Sequence, residues 1–383
     1  MGLASSERAH LIIQSEIRNM SIECDKVNGV NLSQGVCDLE LPEVVRSAAQ
    51  QAIESGVNHY TRYDGLAELR NAIARKLRTH NRIEADPDRN IIVSAGATGA
   101  LYSACMALLN PGDEVVLFEP YYGYHVNTLL AVNAVPVYAK LNPPDWTLDM
   151  DKLESLVSPK TRAIVINTPA NPSGKVFSSE ELEQLFHFCE RHDFFLFTDE
   201  IYEYFVYEGR RHISPASLHN SERVISILGY SKTFSITGWR IGYCLCDERW
   251  TEVIGYVNDL IYVCAPAPLQ MGVAEGIDRL GNDFYASLCS QYQSKRDRLC
   301  SVLKKVGLTP FVPQGAYYVL ADVTSVTGTT SKEKAMYILR TTGVAGVPGE
   351  AFYHDDGGEH LIRFCFAKNN DVLNAACERL LRL

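Results

Sequence analysis

A lysine and an arginine eight residues apart carry the strongest chemical signal in this chain. They lie in Ser231-Lys232-Thr-Phe-Ser-Ile-Thr-Gly238-Trp-Arg240-Ile-Gly242-Tyr243, which an apolar run, Val224 to Leu228, feeds. A lysine held against a core loses solvation, which favours its neutral amine. A neutral, positioned amine attacks a carbonyl and forms a Schiff base. The fork of donors on Arg240 suits a phosphate. An aldehyde and a phosphate on one ligand point to pyridoxal 5′-phosphate (PLP). Taken alone, the segment reads more simply as a surface lysine and a structural arginine. Five further segments shift that balance.

Ser94-Ala95-Gly96-Ala97-Thr98-Gly99-Ala100 follows a strand-like run and opens a helix pattern. Small residues there let backbone N–H groups reach a phosphate at a helix start, or simply allow a tight turn. Thr198-Asp199-Glu200-Ile201-Tyr202 follows Phe194 to Phe197. A carboxylate at that strand end either caps the next helix or holds a protonated pyridine nitrogen, which makes the ring an electron sink. In the second case Tyr202 lies near a ring phenolate. Asn171, in Asn167-Thr-Pro-Ala-Asn171-Pro-Ser-Gly174, is a loop residue or a partner of the ring oxygen. Tyr122, after the run ending at Glu119, either packs or stacks on a flat heterocycle. Arg363 sits inside the apolar Leu361-Ile-Arg-Phe-Cys-Phe366, so it is ion-paired internally or grips a substrate carboxylate.

The elements that would position these residues are legible as alternating apolar runs and amphipathic stretches. Strands are expected at Ile91–Val93, Val115–Phe118, Pro136–Tyr138, Ala163–Ile166, Phe194–Phe197, Val224–Ile227 and Ile241–Leu245. Helices are expected at Ala97–Leu109, stopped by Asn110-Pro111-Gly112, and at Glu180–His192, which a Ser178…Glu181 capping signal precedes. Continuous apolar strands between helices predict an α/β fold, a mostly parallel seven-stranded sheet covered on both faces. Ligands bind such sheets at the carboxyl ends of the strands, where the candidate residues fall. From about Tyr285 the pattern changes to a long polar helix to Lys305, strands at Gly315–Ala321 and Leu361–Phe366, and a closing helix from Asp371 to Leu383. The expected division is a large domain over 45–284 and a smaller α+β domain from 1–44 plus 285–383. No dinucleotide fingerprint and no Walker motif is present.

A net charge of −10 without a long basic run argues against a nucleic-acid partner. The eleven cysteines are odd in number and form no C-x-x-C pair, so reduced thiols in a cytoplasmic protein are expected rather than a disulfide framework. No paired Cys/His spacing repeats, so no metal site is expected. No apolar stretch has membrane-spanning length and no signal-like leader stands at the start, so no membrane is expected either.

These segments, in this order and strand-end context, resemble the fold type I PLP enzymes, and nearly the whole chain looks like a class I/II aminotransferase. Within that class it is most similar to the aspartate/aromatic and kynurenine–glutamine–methionine subgroup. The resemblance implies PLP, with Lys232 as the Schiff-base lysine and Asp199 as partner of the pyridine nitrogen. It implies that Asn171 and Tyr202 contact the ring hydroxyl, that Tyr122 stacks on the ring, and that Ala97, Thr98 and Arg240 hold the phosphate. Arg363 would bind the substrate α-carboxylate, beside Asn171, and Gly35, in Asn31-Leu-Ser-Gln-Gly35, belongs to a segment that closes over the substrate. Tyr60, in His59-Tyr-Thr-Arg-Tyr-Asp-Gly65, matches a tyrosine that reaches the neighbouring subunit's phosphate, which implies an obligate homodimer.

Two departures stand out. Val36-Cys37-Asp38 replaces a proline-containing stretch, and Thr98 stands where some aspartate-preferring relatives carry lysine. The second favours neutral, aromatic or sulfur amino donors. The expected reaction is ping-pong transfer of an α-amino group from an L-amino acid to a 2-oxo acid. The alternatives are a C–S lyase, an aspartate-type aminotransferase, and a non-catalytic PLP-binding regulator, for which no helix-turn-helix pattern precedes residue 30.

Overall fold

The computed structural model describes residues 3–12 and 14–383. All seven expected strands form, as Ile91–Ala95, Glu114–Glu119, Val135–Lys140, Thr161–Asn167, Phe195–Asp199, Val224–Gly229 and Ile241–Leu245. They build one sheet. From the Ile91 edge, the neighbours are Ile241–Leu245, Val224–Gly229, Phe195–Asp199, Thr161–Asn167, Glu114–Glu119 and the edge strand Val135–Lys140. Only Ile241–Leu245 runs against its two neighbours, and the remaining pairs are parallel. The inner strands are buried almost without interruption, because helices cover both faces, while the edge strand is partly exposed.

Helix boundaries follow local chemistry. Ser178 accepts from the Glu181 amide, and the Glu181 side chain returns a bond to the Ser178 amide, so the helix Ser179–His192 starts on a complete capping box. Such a cap contributes about 1 kcal/mol. The other expected helix begins one residue early, at Gly96, and ends at Leu108. Gly96 has a φ of 75°, a conformation open to glycine and costly to the alanine expected to start the helix. The strand expected to end at Phe197 continues to Asp199, which brings the carboxylate to the sheet's last rung beside Asn167.

The late part of the chain forms a four-stranded antiparallel sheet in the order Val347–Pro348, Leu361–Cys365, Tyr318–Asp322 and Thr309–Phe311. Its middle strand starts at Tyr318 rather than at Gly315, because Ala316 adopts a φ of 56° that bends the chain into a turn. The helix Asn282–Lys305 packs on this sheet and on the closing helix Asn370–Leu380, which also meets the strands Val30–Asn31 and Val344–Ala345. The N-terminal segment joins in: Val30–Asn31 pairs in parallel with Val344–Ala345. Met20, Cys24 and Leu32 share an apolar cluster with Leu299, Val319, Phe364 and Leu373. That cluster also takes in Ile201, Tyr202 and Phe205, while Tyr204 packs with Ile91, Leu228 and Ile241 of the large sheet, so the segment after Asp199 is held by both sheets' cores. The smaller unit expected over 1–44 plus 285–383 includes residues 1, 2 and 13, which lie outside the described residues. Among the described residues, no helix is long and apolar enough to cross a membrane.

Candidate active site

A cavity of about 460 Å3 opens where the parallel strands end. Gly35, Ala97, Thr98, Tyr122, Asn171, Asp199, Tyr202, Lys232 and Arg240, drawn from six separate segments, all line it. The side chain of Arg363 lies directly behind Asn171. Tyr60 is 84% exposed and lies outside the cavity of its own chain.

Lys232 follows the fully buried strand Val224–Gly229, which delivers it to the cavity floor. Its Nζ donates to the Gly35 carbonyl at 3.4 Å, and the Cys37 thiol donates to its own carbonyl at 3.6 Å. Burial pushes the Lys232 ammonium below the usual lysine range, because the charged form loses solvation. The surface-lysine reading therefore falls. This group is an amine poised to act as nucleophile or base.

Asp199 presents one carboxylate oxygen to His125 Nε2 at 2.8 Å, and the other accepts from the Ile201 amide at 3.2 Å. It therefore caps the turn that follows it and holds a buried imidazole at the same time. Asn167 anchors this corner. Its Nδ2 donates to the Asp199 carbonyl at 2.8 Å and its Oδ1 accepts from the Asn171 amide at 2.6 Å. The Tyr202 hydroxyl lies 3.1 Å from that of Tyr318, and burial raises the pKa of both phenols, so they stay protonated. Tyr122 stacks on Tyr124 at 5.3 Å and meets His125 edge-on.

On the other side, no side chain caps the start of the helix Gly96–Leu108. Its first amides therefore lack intrahelical partners and face the cavity through Ala97 and Thr98. The Arg240 guanidinium packs against Gly96 where a side chain would otherwise sit. It donates to the Thr237 carbonyl at 3.0 Å and has no carboxylate within ion-pair distance among the described residues. Gly242 lets the strand beneath press on the Gly96–Ala97 peptide, since a Cβ there would lie 2.5 Å from the Ala97 amide nitrogen. An uncapped helix start beside a free guanidinium is an anion site.

Arg363 settles its two readings. It is fully buried, yet no carboxylate pairs with it among the described residues. Nη1 donates to Asn171 Oδ1 at 2.9 Å and Nη2 to the Ser33 carbonyl at 2.5 Å, while Nε has no partner. The guanidinium lies 4.3 Å from the centre of the Tyr318 ring. The other two buried arginines are each ion-paired, Arg70 with Asp64 and Asp88, Arg296 with Glu208 and Asp297. Among the described residues the internal ion pair is therefore absent, and an unmatched buried cation stands behind Asn171 of the cavity wall.

The sequence profile described as aminotransferase class I and II matches residues 27–380. This chain belongs to the class I and II aminotransferases. Among curated proteins, the aminotransferase is 33% identical to rat (Rattus norvegicus) kynurenine–oxoglutarate transaminase 3, over 99% of this chain and 92% of that one. It is 32% identical to aromatic-amino-acid aminotransferase 2 of Thermococcus litoralis, over 99% and 97%. Among solved structures, it superposes on an Escherichia coli methionine aminotransferase with a TM-score of 0.95 at 30% identity, over the whole of both chains. The fold is that of the fold type I enzymes, and the family is PLP-dependent.

Four residues that this aminotransferase brings to the site were absent from the sequence expectations: His125, Asn167, Tyr318 and Ser33. His125 had one signal, a histidine three residues after Tyr122 on a helix without Asp, Glu, Lys or Arg. Tyr318 and Ser33 contribute through contacts 116 and 330 residues away in sequence, which no local pattern reports.

Proposed function

We propose that this aminotransferase binds PLP in the cavity and transfers the amino group of a neutral, aromatic or sulfur-containing L-amino acid to a 2-oxo acid. The observation that carries this reading is the buried, unpaired Arg363 guanidinium, which matches the one group all amino acids and 2-oxo acids share, the α-carboxylate. The remaining residues fit the cofactor. The uncapped helix start and Arg240 would hold its phosphate, Asp199 its ring nitrogen, Asn171 and Tyr202 its ring oxygen, and Tyr122 its ring face. When bound, PLP supplies a carbonyl that takes up the amino group and a ring that withdraws electrons from the substrate Cα.

The chain's own residues supply the rest. Arg363, steadied by Asn171, fixes the α-carboxylate and so orients the Cα–H bond toward Lys232. Lys232 Nζ, kept as the free amine by desolvation, takes the Cα proton in the first half-reaction and returns one to the acceptor's Cα in the second. Asp199, held by His125, would set its carboxylate at the ring nitrogen. One amino acid enters and one 2-oxo acid leaves before the second pair exchanges, a ping-pong order.

The relatives' names, kynurenine, aromatic and methionine, support bulky donors. So do Ile17, Leu101, Tyr122 and Tyr124 in the cavity wall, and Thr98 in place of a cation. Arg18, also in the wall and without a carboxylate partner among the described residues, offers a cation for an acceptor bearing a second carboxylate.

A homodimer accounts for the surface. Val253, Tyr256, Leu260 and Ile261 expose an apolar stripe along one helix, with Tyr60 also exposed, and burying the stripe against a second copy would let Tyr60 reach the partner's phosphate site. The unit of 1–44 plus 285–383 would close over the substrate. Eleven free cysteines support a reducing, cytoplasmic setting.

The test is to add single amino acids to PLP-loaded protein without an acceptor. Conversion of the cofactor's visible absorbance with one oxo acid formed per chain, lost in Lys232→Ala, supports amino transfer. Ammonia and repeated turnover without an acceptor would instead identify a lyase.

A further inference from the structure

Two imidazoles and a carboxylate converge on the helix Ser179–His192, away from the active-site cavity. Glu183 and His187 are one helical turn apart, and His219 lies just beyond the short helix Pro215–Leu218. Each offers a ligand atom, and these atoms all lie within 4.8 Å of one another. Both Nε2 atoms approach a single oxygen, Glu183 Oε2: that of His219 at 2.6 Å and that of His187 at 3.7 Å. His219 is stacked on Phe186, with ring centres 3.6 Å apart and planes 3° from parallel, so its direction is fixed. The other nitrogen of His187 lies 3.2 Å from Glu190 Oε2.

We infer that Glu183, His187 and His219 form a site for a divalent transition-metal ion of the Zn2+ class. Two imidazole nitrogens and one carboxylate oxygen suit zinc, nickel or copper and not the oxygen-seeking magnesium or calcium. Zinc bonds of about 2.0–2.2 Å in a tetrahedron set neighbouring donors about 3.3 Å apart. The two separations here bracket that value, so closure around an ion asks for side-chain movements of only about 0.7 and 0.4 Å. Glu190 is the outer carboxylate that holds a ligating histidine in the tautomer whose Nε2 faces the metal. All three ligands are at least partly exposed, which leaves a fourth position for water. The ion ties the helix to the segment that leads into Val224–Gly229, the strand carrying Lys232. It therefore stabilises the fold by mass action and takes no part in amino transfer.

The test titrates Zn2+ alone into the PLP-loaded enzyme, freed of any histidine tag, in competition with a chromophoric chelator. One equivalent binds per chain, and the thermal midpoint rises with Zn2+. His187→Ala and Glu183→Gln, which leave His219 on Phe186, weaken that equivalent at least about tenfold and abolish the rise, and Glu190→Gln weakens it about tenfold. Amino transfer by these variants stays at the wild-type rate without added metal. Equal Zn2+ affinity in wild type and both ligand variants overturns the site, as does the absence of any equivalent that the variants lose.

Discussion

Replacing Arg363 by lysine separates the reading of a substrate-carboxylate grip from every structural account of that residue. Lysine keeps the positive charge but has no planar fork, so it offers one donor where the guanidinium offers two in parallel. The loss is then about one charge-assisted hydrogen bond, roughly 1.5–3 kcal/mol, or about a 10- to 150-fold fall in kcat/KM. Because the α-carboxylate is common to all substrates, the fall should be the same for every donor and every acceptor. The folded chain should scarcely notice. No carboxylate pairs with Arg363, so its substitution breaks no ion pair and should cost well below the roughly 3–5 kcal/mol of a broken buried pair. Arg70→Gln, which takes a buried guanidinium from Asp88 and leaves Asp64 to Arg62, is the control that breaks an ion pair. The assay is kcat/KM for each half-reaction across donors and acceptors that differ only in side chain, with urea unfolding of both variants alongside. A loss that varies more than about tenfold with the substrate side chain would refute the assignment. So would an Arg363→Lys variant as unstable as Arg70→Gln.

Three further outcomes follow from the same geometry. Burial lowers the Lys232 pKa, so its free amine is present at pH values where an ordinary lysine is still charged. PLP uptake by the cofactor-free protein should therefore speed up as pH rises and level off below about 10.4, the ordinary lysine value. Levelling at or above that value would contradict a desolvated amine. Leu260→Asp places a charge on the exposed apolar stripe and removes a leucine from both halves of a two-fold contact, about 3–6 kcal/mol in all. Sedimentation should report dimer dissociation at least about 100-fold weaker, and an unchanged dimer would place the interface elsewhere. Arg18→Gln should lower kcat/KM for a dicarboxylic 2-oxo acid about tenfold while leaving a monocarboxylic one unchanged. Equal effects on both would remove Arg18 from acceptor recognition.

The fold was legible because its signals are local. Buried parallel strands read as short apolar runs, and all seven were found to within a few residues, since covered sheets tolerate few polar interruptions. The capping box at Ser178 and Glu181 marked a helix start for the same reason. Boundaries slipped where backbone shape, not hydrophobicity, decides them. The φ of 75° at Gly96 and of 56° at Ala316 leave no trace in an apolar pattern. Within the site, each residue at a strand end was legible, and the groups that hold those residues were not. His125 reaches Asp199 across 74 positions, and Ser33 reaches Arg363 across 330. The Glu183, His187 and His219 cluster was illegible on the same ground, because its third member comes from another element.

The site is set apart from the rest of the molecule by charge left unmatched. Elsewhere the buried guanidiniums find anions, Arg70 in Asp64 and Asp88 and Arg296 in Glu208 and Asp297, and buried Lys76 finds Glu203 at 2.6 Å, with Asn81 donating to the same carboxylate. Around the cavity the rule is reversed. Arg363 is buried without a carboxylate, Arg240 has none, and the start of the helix Gly96–Leu108 is uncapped. Each is a cost to the empty chain, because desolvated or partnerless polar groups are unfavourable. Each also matches a negative group of the ligands proposed above, a phosphate at one end and a carboxylate at the other. Asp199 is the complementary case, a cavity-lining carboxylate with one oxygen on His125 Nε2 and the other on the Ile201 amide, which the proposed function matches to the ring nitrogen. A fold that bore these costs without ligands to relieve them would gain by substituting them. Their coexistence in one cavity is therefore the physical reason to read the cavity as built around PLP and an α-amino acid together.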